Sequence, residues 1–181
     1  MGHKHSRDEV IAAAVDVALA DGLAGLTYRR VADRLGISDR MVVYYLPSKT
    51  DLVNATVGEL SLRLQALLAR AFGDSRKSPD ELLADAWPVL AETAEADRVF
   101  GLFLELVGLA ASRVEPFDSL AASIMTAWAD WLADRVKGST PEARRRQALG
   151  VMARVDGLLL VRHTLGARAA DDAARALGLR R

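Results

Sequence analysis

Five cations cluster in one short stretch of this sequence: Arg29, Arg30, Arg34, Arg40 and Lys49. Between residues 27 and 49 only Asp33 and Asp39 oppose them, so the window carries a net +3. Tyr44 and Tyr45 lie beside them. Guanidinium, ammonium and phenol groups together suit phosphate oxygens, and a guanidinium can also fork onto guanine O6 and N7. A solvated, moderately basic face is the plainer use of the same residues. Little else in the chain offers chemistry. Cysteine is absent, which removes thiolate nucleophiles, disulfides and Cys-zinc sites. His163 is the one histidine beyond the amino-terminal His3 and His5. Gly-x-Gly-x-x-Gly, P-loop, Gly-x-Ser-x-Gly and His-x-x-x-His patterns are all missing, so the chain reads as a non-enzyme without cofactor or metal. Met1-Gly2-His3 has the form of an amino-terminal copper or nickel site; a floppy arm is the plainer reading.

The local pattern around the cations is helical. Thr27 can cap a helix that turns Val31 and Ala32 inward and Arg29, Arg30, Asp33 and Arg34 mostly outward. Leu35-Gly36-Ile37 makes a tight turn, Gly36 taking positive φ and Ile37 plugging the gap between helices. Ser38 caps a second helix that stops before Pro47. Helix, short turn with glycine, second helix is the spacing of a DNA-binding helix-turn-helix. Any tight corner between two helices gives the same spacing, so a packing motif stays open beside DNA binding.

The rest of the chain also reads as helix. Of 181 residues, 32 are Ala and 27 are Leu, with only five Pro, which points to an all-α protein. Ser6 with Glu9, Ser48 with Asp51, and Ser78 with Glu81 have the spacing of reciprocal amino-terminal caps. Gly22, Gly36, Gly73, Gly138 and Gly166 mark helix ends. These signals predict nine helices, at 7–21, 27–35, 38–45, 49–72, 79–95, 97–112, 117–137, 141–165 and 169–178, and no sheet. Pro88 should kink or break the fifth. A small amino-terminal domain is expected at 1–46 and a larger helical domain at 47–181. No apolar run is long enough for a membrane span and no secretory leader is visible, so a cytoplasmic protein is expected. The net charge is zero, with 24 basic and 24 acidic residues, which gives no global hint of a nucleic-acid partner.

From Arg7 to Leu52 the sequence resembles the amino-terminal domain of TetR-type transcriptional repressors. The resemblance rests on Val10, Ala13, Ala14, Gly22, Thr27, Arg29, Val31, Ala32, then Gly36-Ile37-Ser38, the pair Tyr44-Tyr45, and Pro47-Ser48-Lys49 with Leu52. It implies a three-helix helix-turn-helix domain followed by a helical ligand-binding and dimerisation domain. It further implies that Ser38, Asp39, Arg40, Met41, Val43 and Tyr45 face the major groove, and that Thr27, Arg29, Tyr44 and Lys49 hold phosphates. Arg40 is the expected base reader, and Asp39 can accept a hydrogen bond from cytosine N4. Val42 and Ile37 are expected in the core. The chain departs from the family at Ala18, Val43 and Leu46, where aromatics are usual; Val43 removes a hydroxyl that often touches DNA.

Beyond residue 52 the resemblance implies more than the residues themselves. The apolar faces at 117–137 (Phe117, Leu120, Ile124, Trp128, Trp131, Leu132, Val136) and 141–165 (Ala148, Val151, Met152, Val155, Leu158, Leu159, Leu165) suit either a core or a four-helix interface with a second copy. Gly150 and Gly157 would let backbones approach there. An effector pocket is expected near Trp87, Phe100, Phe103 and Trp128, each of which plain core packing also explains. Arg98, Gly101, Glu105, Gly108 and Ser112 form one stripe and read as a solvated face. The expectation is therefore a homodimeric repressor on a near-palindromic operator, released by a small-molecule effector. The rival is a helical protein-interaction module that never touches DNA.

Overall fold

The structure, a computed structural model, describes residues 5–179; Met1-Gly2-His3 lies outside the described residues. Nine helices form among them: α1 (Arg7–Gly25), α2 (Tyr28–Leu35), α3 (Asp39–Tyr45), α4 (Lys49–Phe72), α5 (Pro79–Glu92), α6 (Ala94–Ala111), α7 (Phe117–Ala133), α8 (Pro141–Leu165) and α9 (Ala167–Ala176). The fold is all-α. A lone parallel bridge between Lys77 and Val136 is the extended pairing seen among the described residues.

Three expected caps form. The Ser6 hydroxyl accepts from the Glu9 amide while the Glu9 carboxylate accepts from the Ser6 amide at 2.7 Å. Ser78 and Glu81 do the same at the start of α5, and Ser48 and Asp51 at the start of α4. Each exchange gives partners to amides that a helix start leaves unpaired.

Three details differ from expectation. α5 does not break at Pro88; it runs through to Glu92, because a proline that late in the helix removes one backbone bond only four residues before the end. α7 ends at Ala133, since residues 135–137 turn to bond Lys77: the Lys77 amide donates to Arg135 at 2.9 Å and the Lys137 amide to Lys77 at 2.7 Å. The first run of α1 ends at Asp21 as expected, but helix does not end there. It breaks at Gly22, with φ 77° and ψ 174°, and resumes to Gly25.

The chain divides into two compact units, residues 1–63 with 102–121, and residues 64–101 with 122–181. In the first, Val10, Val15, Leu23, Leu26, Val31, Val42, Leu46 and Leu52 are buried, each at 1 % exposure or less. In the second, α8 packs on α5 and α9, around Phe72, Leu82, Leu83, Trp87, Val151 and Leu158. Each such side chain contributes about 1.5–3 kcal/mol on leaving water.

The apolar faces of α7 and α8 are largely spent inside the chain. Phe117, Leu120, Ile124, Leu132, Ala148, Val151, Met152, Leu158 and Leu159 are all buried, as is Val136 just after α7. α8 turns a different stripe outward: Leu149 and Leu160, nearly half exposed, with Gly150, Ala153 and Gly157 between them.

Candidate nucleic-acid interface

The turn between α2 and α3 is built by one glycine. Gly36 adopts φ 66° and ψ 33°, the left-handed region. No atom beyond its own chain neighbours lies within 4 Å of where a Cβ would stand, so the demand on this position is conformational rather than steric. The Ile37 amide donates back to the Ala32 carbonyl at 3.1 Å and closes the turn. At the other end of α2, the Thr27 hydroxyl accepts from the Arg30 amide at 3.3 Å.

α3 is held from one side only. Val42 and, just beyond the helix, Leu46 are fully buried. Ser38, Asp39, Arg40, Met41, Val43 and Tyr44 face solvent, Tyr44 at 75 %. Ser38 stands at the amino-terminal cap position without making the expected cap bond, which leaves its hydroxyl available. Ile37, expected in the core, is half-buried. Tyr45 differs from its neighbours: it is half-buried, its ring meets Tyr44 edge-on at 5.0 Å, and its hydroxyl donates to the His5 carbonyl at 2.5 Å.

The cations divide by partner. Arg30 pairs with Asp21 at 2.8 Å and Arg34 with Asp16 at 3.0 Å, so both fasten α2 to α1. Neither acid lies in the basic window, and the pairing offsets two of its charges. Arg29 has only a loose pair with Asp33 at 3.9 Å and is 83 % exposed. Arg40 is exposed and has no ion-pair partner among the described residues. The Lys49 ammonium donates to the Leu26 carbonyl. Burial lowers its pKa below the usual lysine value, and two of its three N–H donors remain for a phosphate.

Glu105 corrects the sequence reading of its stripe. It is half-buried rather than solvated, and its carboxylate accepts backbone amides of α1. No spacing rule connects residues so far apart in the chain.

Of the four expected effector aromatics, three lie in the second unit and Phe103 in the first. Trp87 is 4 % exposed and Phe100 7 % exposed in the second unit. Phe100 meets the exposed His163 ring edge-on at 6.4 Å. Trp128 is half-buried and stacks edge-on with Trp131 at 5.4 Å. Phe103 is half-buried in the first unit.

Three arginines of α8 pair with acids outside it, Arg145 with Asp130 among them, and Asp156 has no ion-pair partner among the described residues. Arg154 reaches Asp80 at 2.6 Å and Arg162 reaches Asp97 at 3.6 Å. Burial pushes the Asp156 carboxyl up to about 6. A raised acid favours the folded state while protonated. Its contribution is therefore full below the ordinary aspartate value and is lost as pH rises through about 6. Asp156→Asn is expected to stabilise the protein by about 1–3 kcal/mol above pH 7. It should also flatten the pH dependence between roughly 4 and 6. Thermal melts across that range check this; an unchanged profile contradicts it.

The model of the bacterial regulatory proteins of the TetR family matches residues 10–56. These residues contain α2, the Gly36 turn and α3. The amino-terminal domain is of the TetR family. Solved structures extend the likeness in fold over nearly the whole chain. A transcriptional regulator from Rhodococcus sp. Rha1 aligns with a TM-score of 0.68 at 25 % identity over 95 % of both chains. A TetR transcriptional regulator from Legionella pneumophila aligns at 0.67 and 19 % identity, covering 98 % of this chain and 97 % of that one. The multidrug binding protein EbrR, solved with proflavin, aligns at 0.62 and 24 % identity over 93 % and 98 %. No curated protein matches the sequence significantly. α3 is the second helix of the helix-turn-helix that this match covers. No helix among the described residues is long and apolar enough to cross a membrane.

Proposed function

We propose that the chain is a cytoplasmic, homodimeric transcriptional repressor that binds a near-palindromic operator and is released by a small-molecule effector. The observation that carries this reading is the exposed face of α3, from Ser38 to Tyr44, set on a buried Val42 within a TetR-family domain. Arg40 reads a base edge, with Ser38, Asp39, Met41 and Val43 beside it in the major groove. Thr27, Arg29, Tyr44 and Lys49 hold phosphates. Tyr45, its hydroxyl already donated to His5, lines the groove with its ring and offers its oxygen only as an acceptor.

The second copy docks on α7 and α8. The outward stripe of α8 supports this, since Gly150 and Gly157 have open space where a Cβ would be and the flanking Leu149 and Leu160 are exposed. Glycines there let helices approach closely while the leucines bury apolar area. The effector site draws on Trp87, Phe100 and Trp128, which share the second unit. That EbrR holds proflavin makes a planar aromatic cation a sensible first probe. An effector acts only through its difference in affinity for the two states, typically about 1–3 kcal/mol of coupling. α4, whose residues 49–63 belong to the first unit and 64–72 to the second, is the lever.

Selection of duplexes from a random library tests the reading. The expected product is an inverted repeat whose half-sites are roughly 34–36 Å apart or a multiple of that. Failure to enrich any sequence, or enrichment without a dyad, contradicts it.

A further inference from the structure

Glu105 lies in the part of α6 that belongs to the first unit. Each of its carboxylate oxygens accepts one backbone N–H. Oε2 takes that of Leu23 at 2.8 Å and Oε1 that of Ala24 at 2.9 Å. Both amides are available because α1 breaks at Gly22 and restarts for a short turn ending at Gly25. The first amides of any helical turn lack partners inside it, and a carboxylate is the favoured acceptor, by charge-assisted bonding and by the local dipole. Gly22 meets two demands here. Its φ of 77° is one that L side chains rarely adopt, and a Cβ would stand 2.9 Å from Glu105 Oε2.

The segment so held runs straight into the recognition motif. Asp21, just before the break, pairs with Arg30 of α2. Leu26, just after it, is fully buried and its carbonyl receives Lys49 from the start of α4. Thr27 follows and caps α2. Within residues 21–27 the end of α1 is thus tied to α2, α4 and α6, and Glu105 supplies the only one of these ties that comes from beyond α4.

We propose that Glu105 is a positioning residue for DNA binding. By gripping the Leu23 and Ala24 amides its carboxylate sets the attitude at which α2 and α3 meet the duplex. The proposal rests on the DNA-binding reading above. A shift of the carboxylate by a single residue's rise, about 1.5 Å, directed along either bond would carry that bond past hydrogen-bonding distance.

The test compares the full-length wild type with Glu105→Gln, which keeps the side chain's size but replaces one acceptor oxygen by a donor. Two quantities are read: amide hydrogen exchange over residues 22–26, and affinity for the duplex selected by the wild type against a scrambled one. Protected Leu23 and Ala24 amides are expected in the wild type and faster exchange in the variant, with exchange in α8 unchanged. The ratio of specific to scrambled affinity should fall about tenfold or more, from the 10³–10⁷ range usual for specific binders. A residue that merely stabilises the fold would lower the melting temperature and leave that ratio alone. Unprotected amides in the wild type overturn the proposal whether or not the variant folds, and so does a folded variant with an unchanged ratio. A wild type that prefers no duplex overturns both this proposal and the DNA-binding reading. Intact protection at Leu23 and Ala24 would then show that the grip exists but serves something else.

Discussion

Arg40→Ala is expected to cost about 1–3 kcal/mol per half-site on the preferred duplex while leaving affinity for scrambled DNA almost unchanged. The structure gives Arg40 what a base reader needs. It is exposed on α3 and no acid among the described residues neutralises it. A guanidinium forks onto guanine O6 and N7, and alanine leaves those acceptors bare. Arg29→Ala is the contrast. Arg29 is 83 % exposed and only loosely paired, so its loss should weaken binding to every sequence and reduce the salt slope by about 1 per subunit. Lys49→Ala is a poorer contrast than its sequence position suggests. Its ammonium also ties α4 to the Leu26 carbonyl, so the substitution disturbs the fold as well as the proposed phosphate contact. Fluorescence anisotropy on matched and scrambled duplexes decides the matter. An equal loss on both for Arg40→Ala removes its role as a base reader.

Phe72→Ala is expected to be the most destabilising of the substitutions considered, by about 3–5 kcal/mol. Phe72 ends α4 at 1 % exposure, with its ring 5.7 Å from that of Trp131. Truncation removes most of an aromatic side chain from a packed site and leaves a cavity that neighbours only partly fill. A domain typically holds about 5–15 kcal/mol in total, so the loss is a large share of it. For a chain of this size the melting temperature should fall by about 2–4 °C for each kcal/mol. Urea titration checks it, and a loss under about 1 kcal/mol would mean that the site collapses without a cavity.

Local signals were legible in the sequence; partners were not. Ser6-x-x-Glu9 and Ser78-x-x-Glu81 specify their own hydrogen bonds, so those helix starts were readable from spacing alone. Gly36 between two short helices likewise carries its turn in its own backbone. Gly22 looked like a helix end for the same reason, yet the chain resumes helix because Glu105, 82 residues from Leu23, supplies the acceptor. Arg30 and Arg34 counted toward a basic patch, but Asp21 and Asp16 lie outside that window in sequence and beside it in space. The apolar faces of α7 and α8 showed that something covers them, and periodicity does not say whether it is this chain or another. It is mostly this chain, and the stripe left exposed is the weaker one around Gly150 and Gly157.

The same pairings refine the meaning of a neutral chain. With Arg30 and Arg34 committed to α1, the cations left for DNA in the window are Arg29, Arg40 and Lys49. On the proposed DNA-binding reading, binding to arbitrary sequence is expected to be weak and discrimination to come from the face of α3.

Anisotropy of the wild-type protein on its selected duplex and on a scrambled duplex of equal length, over a salt series, tests the account most directly. Saturation at two chains per selected duplex is predicted, with log affinity falling linearly in log salt and a preference of at least about 10³ over the scrambled duplex. Equal affinity for the two duplexes, or no binding to either at low salt, would contradict it.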